Sequence, residues 1–175
     1  MKNIILIGMK GCGKSTVGRV LSKKLGMRFV ELDDEISMLY EKKTGKRLSC
    51  RKIFRNIGEE DFRQLETDAL NNVKRIQNMA LSCGGGTPLS ETNQGMLRSM
   101  GTVVFLDTDE DILLKRIKTG GIPSFFKKNE DHKTSLHQVL ETRFPVYEKI
   151  AGVRLALRDE SPEEIATHIS ERIGL

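Results

Sequence analysis

Gly8-Met9-Lys10-Gly11-Cys12-Gly13-Lys14-Ser15 is the stretch on which the reading of this chain turns. It fits G-x-x-x-x-G-K-[ST] at every fixed position. A short apolar run, Asn3–Ile7, precedes it, and an amphipathic stretch, Lys14–Leu25, follows it. Glycines let backbone N–H groups turn inward around an anion, and the start of a helix adds partial positive charge. Lys14 is placed to reach the β- and γ-phosphates of a nucleotide, and the Ser15 hydroxyl to bind Mg2+. Gly11, Cys12, Gly13, Lys14, Ser15 and Thr16 are therefore the expected ATP-binding residues. A glycine-rich turn that binds nothing is the alternative, and the completeness and placement of the match argue against it.

Outward from this loop, apolar runs alternate with longer amphipathic stretches. Strands are expected at Asn3–Ile7, Arg28–Leu32, Met79–Ser82, Thr102–Leu106 and Arg154–Leu157. Helices are expected at Lys14–Leu25, Asp34–Lys43, Glu59–Asn72, Asp109–Lys118, Ser135–Lys149 and Pro162–Ile173. Ser161, Pro162 and Glu164 form a capping-box start for the last helix. Strands separated by helices imply an α/β fold, a parallel sheet covered on both faces in three layers. The polar, lysine-bearing stretch 119–134 reads as a lid within a single domain spanning residues 1–175, since a helix follows and no new domain begins.

The chain has 175 residues, enough for one domain with its own core. Its net charge of +5 comes from 29 Lys and Arg against 24 Asp and Glu. No basic run or nucleic-acid motif accompanies that excess, so it suits phosphates and a carboxylate better than nucleic acid. Cys12, Cys50 and Cys83 have neither metal-ligand spacing nor an even count, which fits reduced thiols. Cys12 lies inside the phosphate loop, where oxidation would be expected to block nucleotide. No apolar run is long enough for a membrane helix, and the start reads as a strand rather than an export signal. The expectation is a cytoplasmic protein with no membrane partner.

Without a base-reading Asn-Lys-x-Asp the chain does not read as a GTPase, and its size suits a kinase acting on a small acceptor. Four further motifs follow in order. They are Glu31-Leu32-Asp33, Gly58-Glu59-Glu60-Asp61-Phe62-Arg63, Ser82-Cys83-Gly84-Gly85-Gly86 and Arg143-Phe144-Pro145-Val146-Tyr147. They resemble the D-x-D, G-E-x-x-F-R, S-x-G-G-G and R-x-P-x-Y motifs of the shikimate kinase family, over nearly the whole chain. The resemblance implies a five-stranded parallel sheet of order 2-3-1-4-5 and transfer of the ATP γ-phosphate to the 3-hydroxyl of shikimate. It also implies that Asp33 takes the hydroxyl proton, that Arg63 and Arg143 clamp the substrate carboxylate, and that Gly84, Gly85 and Gly86 let backbone approach the ring. Residue chemistry agrees. A carboxylate at the end of a strand can act as base, although it could equally cap the next helix. Guanidinium forks pair bidentately with carboxylates.

Three positions depart from the family pattern. Glu31 stands where the family has an aspartate that contacts Mg2+ through water, and it is one methylene longer. Ile122 precedes Pro123 in the lid, where the family carries an arginine. Lys127 or Lys128 further along the lid, or Arg116 or Lys118 at its base, could supply that charge, or catalysis could be weak or lost. Lys42-Lys43-Thr44-Gly45-Lys46 resembles the family's basic turn but arrives late. Lys118 and Arg158 are the expected contacts at the nucleotide's base end. Besides a monomeric shikimate kinase, a kinase for another small hydroxy acid such as gluconate and a nucleotide-binding regulator remain open.

Overall fold

Asn3–Ile7 is buried along its whole length, which a strand can be only when both faces of its sheet are covered. It forms β1 of a five-stranded sheet in the computed structural model, which describes residues 2–120, 126 and 131–175. The other strands are β2 (Arg28–Glu31), β3 (Met79–Ser82), β4 (Gly101–Thr108) and β5 (Val153–Leu157). All four pairings are parallel and the order is β2-β3-β1-β4-β5, as expected. Ile4 lies opposite Ala80 on one side and Thr102 on the other, so β1 is the central strand. Strand order reverses beside β1, and the crevice past the carboxyl ends of the strands opens there.

Helices α1 (Lys14–Leu25), α2 (Leu32–Thr44), α3 (Cys50–Val73), α4 (Glu91–Met100), α5 (Glu110–Gly120), α6 (His132–Ile150) and α7 (Pro162–Ile173) complete the described elements, with one 3-10 turn at Thr87–Leu89. The capping box at Ser161 is present as read, with Ser161 and Glu164 bonding each other's backbone.

Three expectations are corrected. β2 ends at Glu31 and α2 begins at Leu32, so Asp33 lies in the first turn of the helix and Glu31 holds the cap position. Asp33 is therefore not the N-cap. The helix expected at Glu59–Asn72 reaches back to Cys50, with Gly58 (φ 82°, ψ 178°) kinking it between two helical segments. Glycine tolerates that positive φ without a Cβ clash. Helix α4 was not anticipated. Its start is a Ser90 side chain accepting from the Asn93 N–H. Ile122, Pro123, Lys127 and Lys128 lie outside the described residues, as does most of the expected lid. Within that stretch Phe126 is described, buried with its ring 5.1 Å from that of His132.

Candidate active site

A crevice of about 840 Å³ opens along the carboxyl edge of the sheet. Its floor at one end is the phosphate loop. Gly11 and Gly13 have φ of 89° and 94°, the left-handed region that turns the loop's N–H groups toward one centre. Lys14 is buried and donates to the carbonyls of Gly8 (2.9 Å) and Met9 (2.8 Å). Its ammonium also lies 3.4 Å from Cys12 Sγ. The cation is thus held across the loop before any phosphate arrives. Cys12 is 1% exposed, so its thiol is sealed beneath the loop rather than open to oxidants. Arg116 of α5 donates to Gly11 O at 3.2 Å and lines the nucleotide end with Pro162 and Ile165.

Lys118 and Arg158 are not among the residues lining this crevice. Lys118 sits about 200° round α5 from Arg116, because each helical residue turns about 100°. Arg158 is exposed and its backbone N–H donates to Glu160 Oε2 at 2.7 Å. Buried Leu155 and Leu157 fix the phase of β5, and that places the following residue outward.

Beside the loop, Ser15 Oγ and Ser82 Oγ stand 3.5 Å apart, and both hydroxyls lie near the Glu31 carboxylate. Burial raises the pKa of Glu31, and the two hydroxyls oppose that rise. Hydroxyl and carboxylate oxygens at the end of a phosphate loop fit Mg2+, which favours oxygen ligands and keeps much of its water. Among the described residues no cluster of three or more His, Cys, Asp or Glu could hold a metal.

Asp33 faces the crevice from the first turn of α2. A Cβ built on Gly84 would stand 3.3 Å from both Asp33 Oδ1 and Glu66 Oε1. Asp33 is solvent-accessible yet walled by protein. Burial first, and the Glu66 charge second, push its pKa up, while Lys14 pulls it down.

The three glycines face three different groups. Gly84 meets Asp33 and Glu66, Gly85 lies against Arg143 Nη1 at 3.3 Å from its absent Cβ, and Gly86 lies under the Arg63 guanidinium. Any side chain on Gly86 would displace that guanidinium, whose Nη2 would be 2.7 Å from its Cβ. Tyr147 is fully buried and donates to Gly85 O, and it also reaches Met9 Sδ at 3.6 Å. Arg143 Nη1 lies 3.9 Å from the same sulfur. Met9 of the phosphate loop therefore packs directly on the far half of the site.

Arg63 is not a solvated ion pair. Its Nη1 donates to Glu66 Oε2 at 2.8 Å, and Glu66 is 2% exposed. Thr87 Oγ1 donates to the other Glu66 oxygen at 2.6 Å. Glu66 was not singled out from sequence, because on the helix it is one acidic residue among Glu59, Glu60 and Asp61. Glu66→Gln is expected to raise the acceptor KM about tenfold, the equivalent of about 1.4 kcal/mol. It should also lower stability by about 1–3 kcal/mol, since a buried charge-assisted bond is lost. Steady-state kinetics and thermal melting check both.

The comparisons with known proteins agree with this arrangement. The family model for shikimate kinase matches residues 10–174. A shikimate kinase of Persephonella marina is 36% identical over 173 residues, covering 99% of each chain. The solved shikimate kinase from Acinetobacter baumannii in complex with shikimate superposes with a TM-score of 0.87 at 32% identity, covering 99% of this chain and 93% of that one. A shikimate kinase structure from Bacteroides thetaiotaomicron gives 0.82 at 29% identity, covering 99% of both. Among the described residues no helix is long and apolar enough to cross a membrane.

Proposed function

The chain belongs to the shikimate kinase family, and from that premise we propose that its crevice transfers the γ-phosphoryl group of ATP to the 3-hydroxyl of shikimate, with the residue roles that follow. The phosphate loop holds the triphosphate through its inward N–H groups and Lys14. Thr16 also lines the nucleotide end of the crevice. Arg63, braced by Glu66, and Arg143, braced against the phosphate loop, take the shikimate carboxylate. Gly84, Gly85 and Gly86 bring backbone against the ring. Asp33 accepts the hydroxyl proton as the oxygen attacks phosphorus. Ser15, with Glu31 through water, would hold Mg2+, whose charge offsets that of the phosphates. The unit is read as a cytoplasmic protein that works as a monomer, every group named in the crevice coming from one chain.

One observation carries this reading. Asp33, both arginines and the glycine turn line the same crevice as the phosphate loop. Release of ADP coupled to shikimate tests it. Turnover with shikimate and not with gluconate is expected, whereas turnover only with another hydroxy acid, or nucleotide binding without turnover, would contradict it.

The acid limb of kcat/KM follows from the same geometry. Asp33 works as a carboxylate, and burial with Glu66 raises its pKa. Activity is therefore present above that raised pKa and lost as pH falls through it. The limb should lie above the usual aspartate value of about 3.9. A pH profile measured on the free-enzyme parameter checks this.

A further inference from the structure

Among the described residues six basic side chains line the crevice. Four are accounted for above. Lys14 spans the phosphate loop, Arg63 is tied to Glu66, Arg116 meets Gly11 O, and Arg143 lies between Gly85 and Met9. The other two, Lys10 and Arg51, come from different elements. Lys10 belongs to the variable part of the phosphate loop, and Arg51 to the first turn of α3. Both line the crevice with Asp33, and the charges of Arg51 and Asp33 act on the Lys10 ammonium. The Lys10 backbone nitrogen would be 3.6 Å from a Cβ on Gly85. Lys10 thus belongs to the part of the loop that lies against the glycine turn, in the crevice that Asp33 also lines. A phosphoryl group passing from nucleotide to acceptor travels within that crevice.

We propose that Lys10 is a catalytic residue of this chain, its ammonium following the transferred phosphoryl group from ATP to the acceptor oxygen beside Asp33. The inference rests on the kinase reading above and adds to it a residue at an unconstrained position of the loop motif. In the step, the bond from phosphorus to the β-phosphate oxygen breaks and ADP leaves with that electron pair. The acceptor oxygen bonds to phosphorus and its proton passes to the Asp33 carboxylate. Negative charge on the moving group's outer oxygens has to be met throughout. A lysine suits this because its flexible stem carries a compact charge through the motion. Burial and Arg51 lower the Lys10 pKa, and the Asp33 carboxylate opposes them. Incoming phosphates act in the same direction as Asp33 and favour the charged amine. Such a cation rises from the loop itself, independent of the lid, where Ile122 offers no charge.

The test compares Lys10→Met and Lys10→Arg with the unaltered chain. Lys10→Met is expected to lower kcat about 10²–10³-fold, as loss of one well-placed donor does. Its melting temperature and its affinities for ATP and shikimate should stay within about threefold or a few degrees, and Lys10→Arg should recover at least about tenfold of the loss. A second arm needs no turnover. By calorimetry, Lys10→Met should weaken binding of shikimate 3-phosphate about tenfold or more while shikimate itself is held as before. Unchanged kcat and unchanged product affinity in Lys10→Met would overturn the proposal. So would losses that track a lowered melting temperature and are not rescued by arginine. A wild-type chain that binds shikimate without phosphorylating it would sink the kinase reading, and the calorimetric arm would still decide Lys10.

Discussion

Asp33→Asn is expected to cut kcat by about 10²- to 10⁴-fold, the usual worth of a positioned general base. The fold should survive. Ser37 Oγ at 2.9 Å and Cys50 Sγ at 3.2 Å bond the Asp33 main-chain oxygen, which asparagine keeps. Asparagine keeps the shape and can still meet a hydroxyl, so shikimate KM should move little. ATP affinity should hold as well, because Asp33 belongs to α2 and not to the phosphate loop. A fall in kcat without a comparable rise in KM separates loss of proton transfer from loss of binding. The acid limb assigned to Asp33 should also vanish from the residual activity. If Asp33→Asn kept more than about a tenth of wild-type kcat, the base would have to be another group.

Lys14→Met is expected to be comparably severe, about 10²–10³-fold in kcat or more, because a donor aimed at developing phosphate charge is removed. Here the effect should extend to nucleotide affinity. In the free protein the Lys14 ammonium rests on the Gly8 and Met9 carbonyls. Phosphate entry exchanges some of those bonds for charge-assisted ones, which are roughly twice as strong. The substitution also leaves two loop carbonyls without that donor, so the loop itself should loosen. Calorimetric titration with ADP and ATP distinguishes the two consequences. A larger loss for ATP than for ADP is expected if the lysine reaches the γ-phosphate, and equal losses would show that it serves only to brace the loop.

The sheet could be read from the chain because parallel strands covered on both faces appear as short, uniformly apolar runs, as in Ile4-Ile5-Leu6-Ile7. The order of those strands came from the family resemblance and not from periodicity. Helix α4 was illegible because Glu91–Met100 offers only Met96, Leu97 and Met100 as apolar residues, all in its second half and preceded by Gly95. Gly58 looked like a helix boundary, since a glycine at positive φ usually ends a helix, yet here the chain resumes helical geometry beyond it.

Within the crevice, residues marked by fixed spacing were visible, above all Lys14, Ser15 and the three glycines. Residues selected by burial were not. Glu66 differs from Glu59 and Glu60 only in facing Thr87 and Arg63 from inside the protein. Lys10 fills a position the loop motif leaves open, so only its placement against Asp33 marks it out. Between Arg116 and Lys118, only the fold shows which lines the crevice, and it is Arg116. Asp33 was assigned to the right crevice though to the wrong local structure, because a strand's last residue and a helix's first turn adjoin.

The central claim is that one crevice holds the phosphate chain at the loop and the acceptor's carboxylate between Arg63 and Arg143, leaving its hydroxyl on Asp33. A crystal structure with ADP and shikimate measures this directly. The account predicts a shikimate carboxylate paired with both guanidinium groups and the 3-hydroxyl within hydrogen-bond distance, about 2.5–3.0 Å, of the Asp33 carboxylate. Shikimate bound with its carboxylate away from both arginines, or with Asp33 out of reach of any hydroxyl, would contradict it.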